Sequence, residues 1–279
     1  MKGVLSLRLP DDFPRDVAAF ACDLDRTLIA EDALVHPRTR AAVLAASQAD
    51  IPFVIVTGRM FRSVKRYLDE LELDGLVVCY QGAVVADASG RFLRHVPIPL
   101  EPAREAIAAV AGRYHLNCYV GDELYVAEVT EEARAYADFQ DLPIHPVGDL
   151  LSWLDEPPTK LVVVGEPREL DGLELELKGR FGDRLHISKS LPHFLELAAA
   201  EVTKATGFAL VAEELGVPLE RVVGFGDGEN DVELLESVGY AVAVANAHER
   251  VLAVADLVCP PAAEEGVAQV IEAALDSRG

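Results

Sequence analysis

The chain is short of positive charge. Its 25 Lys and Arg face 47 Asp and Glu, a formal net charge of −22 at pH 7. A whole-molecule field of that sign repels polyanions, so nucleic acid and anionic membrane surfaces are excluded as partners, and any anion that binds needs a locally positive site. Paired cysteines are lacking too: Cys22, Cys79, Cys118 and Cys259 are scattered among apolar neighbours, the pattern of reduced core residues in a cytoplasmic protein. No apolar run approaches the roughly 18 residues of a membrane span. The opening MKGVLSLRLPDD has a short apolar patch that Arg8 interrupts and no small-residue cleavage site, so it is read as carrying no targeting signal. Internal repeats and low-complexity tracts are absent, and His115, His145, His186 and His248 show no metal-ligand spacing.

What is present is apolar residue in quantity, 51% of 279 positions, enough for two domains or one domain with a large insertion. VAAFACD, IPFVIVTGR, RVVGFGDGEND, AVAVANA and ADLVC are apolar runs that end in polar residues, as strands buried on both faces do. Each is followed by helical periodicity; PRTRAAVLAASQAD begins with Pro37 in the first turn of its helix, after a His36 read as part of the cap. Strand alternating with helix predicts a parallel sheet covered by helices, with ligands beyond the carboxyl ends of the strands.

The middle of the chain has another pattern. AVVADASGRFLRHV and LNCYVGDELYVAEV read as hairpins turning at Ser89-Gly90 and Gly121-Asp122, Pro157-Pro158 marks a break, and RLHISKS leads back toward the sheet. The fold class expected is therefore α/β, a Rossmann-like parallel-sheet core (residues 1–82 and 191–279) with an inserted α+β domain (83–190). Trp153, Tyr114, Tyr119 and Tyr125 are assigned to the packing of that insertion.

Chemistry gathers at the strand ends. Asp23-Leu24-Asp25-Arg26-Thr27 ends the first strand and Thr57-Gly58-Arg59 the second. Lys204 opens the helix TKATGFALVAEEL, and Gly226-Asp227-Gly228-Glu229-Asn230-Asp231 ends the third strand. A single Asp at such a place is read most simply as a helix cap. Asp23, Asp25 and Asp227 together at one sheet edge repel each other unless a cation intervenes, and their hard oxygen atoms favour Mg²⁺.

In order and spacing, these motifs resemble those of the haloacid dehalogenase superfamily, specifically its Cof-like branch, in which an α/β cap (type IIB) is inserted between the second and third motifs. The resemblance implies a phosphatase acting on a small phosphorylated metabolite such as a sugar phosphate, nucleotide or cofactor phosphate. It makes Asp23 the nucleophile that becomes an aspartyl phosphate and Asp25 the general acid and base. Thr57, Gly58 and Lys204 then hold the phosphoryl oxygens, and Asn230 positions Lys204 or the phosphoryl group. Mg²⁺ is bound by Asp23, Asp227 and the backbone carbonyl of Asp25, with Asp231 behind them. Relatives that are dehalogenases lack the second Asp and P-type ATPases carry Thr there, so Asp25 points to ester hydrolysis.

Two positions depart from the family pattern. Arg26 stands where Gly is usual, and either faces solvent or uses its guanidinium at the phosphate. Gln81 in YQGA replaces a common Asn, as a turn residue or as a substrate contact. The insertion is expected to choose the ester while contributing no group to phosphoryl transfer, with Lys189, Ser190 and His193 as candidate contacts. Cys22 is expected on the face opposite Asp23, without a catalytic role. A phosphomannomutase-type phosphomutase, which shares cap type and both aspartates, is an alternative, as is a non-catalytic sensor on the same fold. Oligomeric state is left open.

Overall fold

A computed structural model describes residues 7–277. The chain runs through β1 (Ala19–Cys22), α1 (Pro37–Gln48), β2 (Phe53–Ile55), α2 (Phe61–Glu70), β3 (Leu76–Cys79), β4 (Val84–Asp87) and β5 (Phe92–His95). It continues through α3 (Leu100–Val110), β6 (His115–Val120), β7 (Glu123–Val126), α4 (Glu131–Gln140), β8 (Ile144–Pro146), α5 (Leu150–Trp153), β9 (Lys160–Val164), α6 (Pro167–Phe181), β10 (Leu185–Leu191) and β11 (Phe194–Ala199). It closes with α7 (Lys204–Leu215), β12 (Val222–Gly226), α8 (Val232–Ser237), β13 (Tyr240–Val244), α9 (Glu249–Val254), β14 (Leu257–Cys259) and α10 (Gly266–Asp276).

The five expected core strands form one parallel sheet in the order β14-β13-β12-β1-β2. Every residue of β1 and β12 is buried, because helices cover both faces. Phe20 and Cys22 belong to the core on one side, with Val43 and Ala46 of α1 and Ile271 of α10; Ala19 and Ala21 pack on the other with Phe208 and Val211 of α7. Burying a side chain such as Phe225 contributes roughly 1.5–3 kcal/mol, so the strands nearest the site are also the most firmly held.

A second sheet has the order β10-β11-β9-β6-β7-β8 and is antiparallel except for β7 with β8. One face carries Leu161, Val163, Leu195 and Leu197 against α3 and α6, where Leu170, Leu173 and Leu177 are buried. Tyr125 and Trp153 pack ring on ring, 4.4 Å between centroids. The other face carries Tyr119 and Val162 and joins the same apolar cluster as Tyr80 and Phe20 of the parallel-sheet unit.

Both hairpins expected in the middle of the chain form, and Gly121 and Asp122 take the left-handed backbone that a two-residue turn needs. The crossings expected near residues 83 and 190 lie inside antiparallel pairings. β4 and β5 stay with β3, which bridges to β2 through Val56 and Val78, while β11 stays with β10 in the six-stranded sheet. A hairpin exchanges its hydrogen bonds locally, so these sheets divide after His95 and after Ala199 instead. Among the described residues no helix is long and apolar enough to cross a membrane.

Candidate active site

Parallel pairing puts the ends of β1 and β12 side by side, Cys22 beside Phe225, so Asp23 and Asp227 emerge as neighbours. Lys204 is the first residue of α7. Thr203 caps that helix, accepting from the amide of Thr206 at 3.2 Å, while the Thr206 hydroxyl accepts from the Thr203 amide at 3.1 Å. The helix start is pressed against the Tyr80–Gly82 turn: a Cβ on Gly207 would stand 2.6 Å from the Cα of Gly82, so neither position has room for a side chain. The fully buried Lys204 then donates to Asp23 Oδ1 at 2.5 Å and to Asp231 Oδ1 at 2.6 Å.

Asp231 is largely committed: its Oδ2 accepts the amides of Asp227 (3.0 Å) and Gly228 (2.9 Å), and its Oδ1 already receives Lys204. Oxygens of Asp23, Asp227 and Asp231 lie within 4.8 Å of one another in a buried cluster. Burial drives the Asp23 carboxyl well above its usual range; Lys204 opposes this, and Asp231, Asp227 and Asp25 reinforce it. Asp227 is pushed up to about 7, by burial and then by Asp231. Burial works against the charge on Lys204, yet Asp23 and Asp231 outweigh it and raise its pKa. Carboxylates so starved of positive charge, all hard oxygen donors, suit a small divalent cation. With Asp231 spoken for, Asp23 and Asp227 are the pair left to hold one.

Asp25 is gripped by a two-pronged fork: Arg59 Nε donates to Oδ2 at 2.7 Å and Nη2 to Oδ1 at 2.5 Å. Arg26 has φ +61°, which explains why glycine suits this position; here Asn246 holds the Arg26 carbonyl at 2.9 Å. Its guanidinium is neither free in solvent nor deep in the site, standing 3.5 Å from Asp227 Oδ2. Gln81 also has a left-handed backbone, φ +59°, and its side chain is buried. It receives the amide of Asn230 at 2.9 Å and donates to Glu196 Oε2 at 3.0 Å. Asn230 therefore holds Gln81, and Lys204 takes its partners from Asp23 and Asp231. A Cβ on Gly58 would fall 2.3 Å from Gln81 Nε2, so a side chain there would displace the Gln81 amide from its present place.

The six-stranded sheet closes the site from above. Lys160, at the start of β9, donates to the Gly58 carbonyl at 2.8 Å and to Glu196 Oε1 at 3.3 Å. The next amide, that of Arg59, donates to Thr57 Oγ1 at 3.2 Å, which leaves the Thr57 hydroxyl hydrogen to point elsewhere. The six-stranded sheet thus reaches the Thr57-Gly58-Arg59 turn itself. Ser190 Oγ donates to Glu196 Oε1 at 2.6 Å; Lys189 turns away to Asp171, and His193 hydrogen-bonds Gly165 O. Of the three candidate contacts only Ser190 lines the site, a cavity of about 50 Å³ that also includes Asp23, Asp25, Thr57, Gly58, Asp227 and Asn230. A much larger crevice, about 930 Å³, holds His115 and His193 and shares only Tyr136 and Phe194 with the site; none of the carboxylates above reaches it.

Lys160 and Glu196 escaped the sequence reading, although a charged residue in a run as apolar as KLVVV or FLELAA was a usable signal. So did Asp122. From the β6–β7 turn it accepts the amides of Phe61 (3.2 Å) and Arg62 (3.0 Å), the first of α2, and the Tyr80 hydroxyl at 2.7 Å.

Strand ends and the start of one helix bring two aspartates, a lysine and a threonine together under a second sheet on an α/β core. The chain belongs to the haloacid dehalogenase-like hydrolases, whose family model matches residues 20–271. It is 27% identical over 261 residues to a 5-amino-6-(5-phospho-D-ribitylamino)uracil phosphatase of Bacillus subtilis, covering 90% of this chain and 95% of that one. It is 25% identical over 239 residues to an HMP-PP phosphatase of Escherichia coli, covering 83% and 84%. A haloacid dehalogenase-like hydrolase from Bacteroides thetaiotaomicron has a similar structure: TM-score 0.83, 26% identity, 92% of this chain and 98% of that one. The α/β core and its insertion are those of this family.

Proposed function

We propose that this hydrolase is a Mg²⁺-dependent phosphatase of a small phosphate monoester, working through an aspartyl phosphate on Asp23. The observation that carries the proposal is the contact of Lys204 with Asp23 Oδ1 at 2.5 Å inside the buried aspartate cluster, which leaves Oδ2 as the attacking atom. Asp23 and Asp227, with the Asp25 backbone carbonyl, would hold Mg²⁺; bound there it makes an anionic nucleophile compatible with an anionic ester. Asp23 Oδ2 attacks phosphorus, and Asp25, released from Arg59 and protonated from solvent, gives that proton to the departing oxygen. Water then attacks the phosphoryl group, its proton goes to Asp25, and phosphate leaves as Asp23 is restored. Lys204, Thr57 and the Gly58 amide stabilise the phosphoryl oxygens throughout.

The cavity of about 50 Å³ is far below the roughly 300 Å³ of an ordinary ligand pocket, so the six-stranded-sheet unit acts as a cap that swings away to admit the ester. The phosphomutase alternative needs a second phosphate site on that cap. Among the described residues lining the cavity, Lys160 is the one cation the cap supplies, and Gly58 and Glu196 already hold it. Hydrolysis is favoured accordingly.

Substitution at the two aspartates separates the roles. Asp23→Asn should lower turnover of p-nitrophenyl phosphate by roughly 10⁴ or more while the protein stays folded. Asp25→Asn should take up the phosphoryl group and release it slowly, giving a mass increase on the peptide that contains Asp23. Metal-dependent phosphate release by folded Asp23→Asn protein would contradict the assignment.

A further inference from the structure

We propose that the buried Lys160–Glu196 pair on the cap is a charge filter, admitting esters whose leaving group is neutral and hydroxylated and turning away those with a second anionic group. The proposal rests on the phosphatase reading above. Both side chains are almost wholly buried and line the same cavity as Asp23 and Asp25, so a leaving group meets them as the cap closes.

Their unused hydrogen-bonding capacity defines what fits. Lys160 spends two N–H bonds, on the Gly58 carbonyl and on Glu196 Oε1; its ammonium also lies 5.2 Å from the centre of the Tyr119 ring, so the third N–H is the one not given to an oxygen. Glu196 accepts from Lys160, from Ser190 and from Gln81, and a carboxylate has about four acceptor positions, so one stays open. One donor beside one acceptor matches a hydroxyl group, which accepts and donates at once. A carboxylate or phosphate has nothing to donate, and it would press its charge against Glu196 with no cation in reserve, since Lys160 is already committed. The charge of the whole cavity agrees: Asp23, Asp25, Asp227 and Glu196 stand against Arg26, Arg59 and Lys160. Of these cations, Arg59 grips Asp25 and Arg26 faces Asp227. Lys204 and the proposed Mg²⁺ are likewise engaged by the aspartates, so a further anion on the leaving group meets Glu196 with no uncommitted cation from the cap, and juxtaposed like charges are strongly disfavoured.

Glycerol 3-phosphate and 3-phosphoglycerate test this directly, because they differ by a hydroxymethyl group against a carboxylate. With Mg²⁺ present, the wild-type enzyme should favour the glycerol ester in kcat/KM by about tenfold or more, the scale of one misplaced charge. Glu196→Gln leaves Lys160 without its counter-charge and should shift that ratio toward the glycerate ester by about tenfold, whatever happens to absolute activity. An equal or reversed preference in the wild type overturns the filter, as does a variant ratio within about threefold of wild type. Should Glu196→Gln fail to fold, the wild-type ratio alone decides. p-Nitrophenyl phosphate keeps the two ideas apart: hydrolysis of it without the glycerol preference removes the filter alone, and no hydrolysis of any ester removes the phosphatase reading and the filter with it.

Discussion

Lys204→Met is the most informative single substitution in the core. The new side chain keeps the length and apolar stem of the old one and removes the ammonium that donates to both Asp23 and Asp231. Both partners are buried, and stripping one member from a buried ion pair costs about 3–5 kcal/mol because the charge left behind has no compensation. The loss should depend on pH in a definite direction. The folded-state pKa values of Asp23 and Asp227 are raised above those of the unfolded chain, so what these groups contribute to stability is fully present at low pH and falls as pH rises through the folded value, about 7 for Asp227. Without Lys204 these pKa values rise further and the fall extends to higher pH, at no more than about 1.4 kcal/mol per pH unit for each group. Urea unfolding in the presence of a chelator should therefore show the full loss at pH 8 and a smaller one at pH 5. Turnover of p-nitrophenyl phosphate should fall by about 10²–10³, the usual effect of losing one donor to a developing charge. A loss under about 1 kcal/mol at pH 8, or a larger loss at pH 5 than at pH 8, would show that the ammonium does not neutralise this cluster.

Two further outcomes follow from the same geometry. At the proposed site Mg²⁺ displaces a proton from an Asp227 held near 7, so its affinity measured by calorimetry should increase with pH, by up to about tenfold per unit below pH 7; a flat profile from pH 6 to 8 refutes this. Asp122→Ala removes the acceptor at the start of α2 and should lower stability by about 1 kcal/mol in urea unfolding, and an unchanged midpoint would mean that the turn only rests on the helix.

The parallel sheet was legible in the sequence because its strands are buried on both faces and therefore read as continuous apolar runs, from Ala19–Cys22 to Leu257–Cys259. Asp23, Thr57 and Asp227 were legible because strand ends in such a sheet are where ligands bind. The cap side was not. Lys160 meets Gly58 across 102 positions of sequence and Glu196 meets Gln81 across 115, and those encounters depend on the register of β9 and β11 and on how the two sheets face each other. No local periodicity encodes either. The chain leaves β3 through a hairpin that stays in its own sheet, and hairpin signals look alike in both units. Arg26 and Gln81 were legible as departures, but only the backbone shows that both occupy left-handed positions.

The cap of α2 comes from the other sheet, and that makes the helix a clock. The amide hydrogens of Phe61 and Arg62 have no partner within their own helix, so Asp122 is what shields them from water. Each time the β6–β7 turn lifts, these two protons become free to exchange with deuterium, while those of Val64 and Leu71 stay bonded inside the helix to Met60 and Tyr67. Because only Met60 separates Arg59 from the helix start, exchange at these two neighbouring amides would report the proposed opening of the cap in the absence of any substrate.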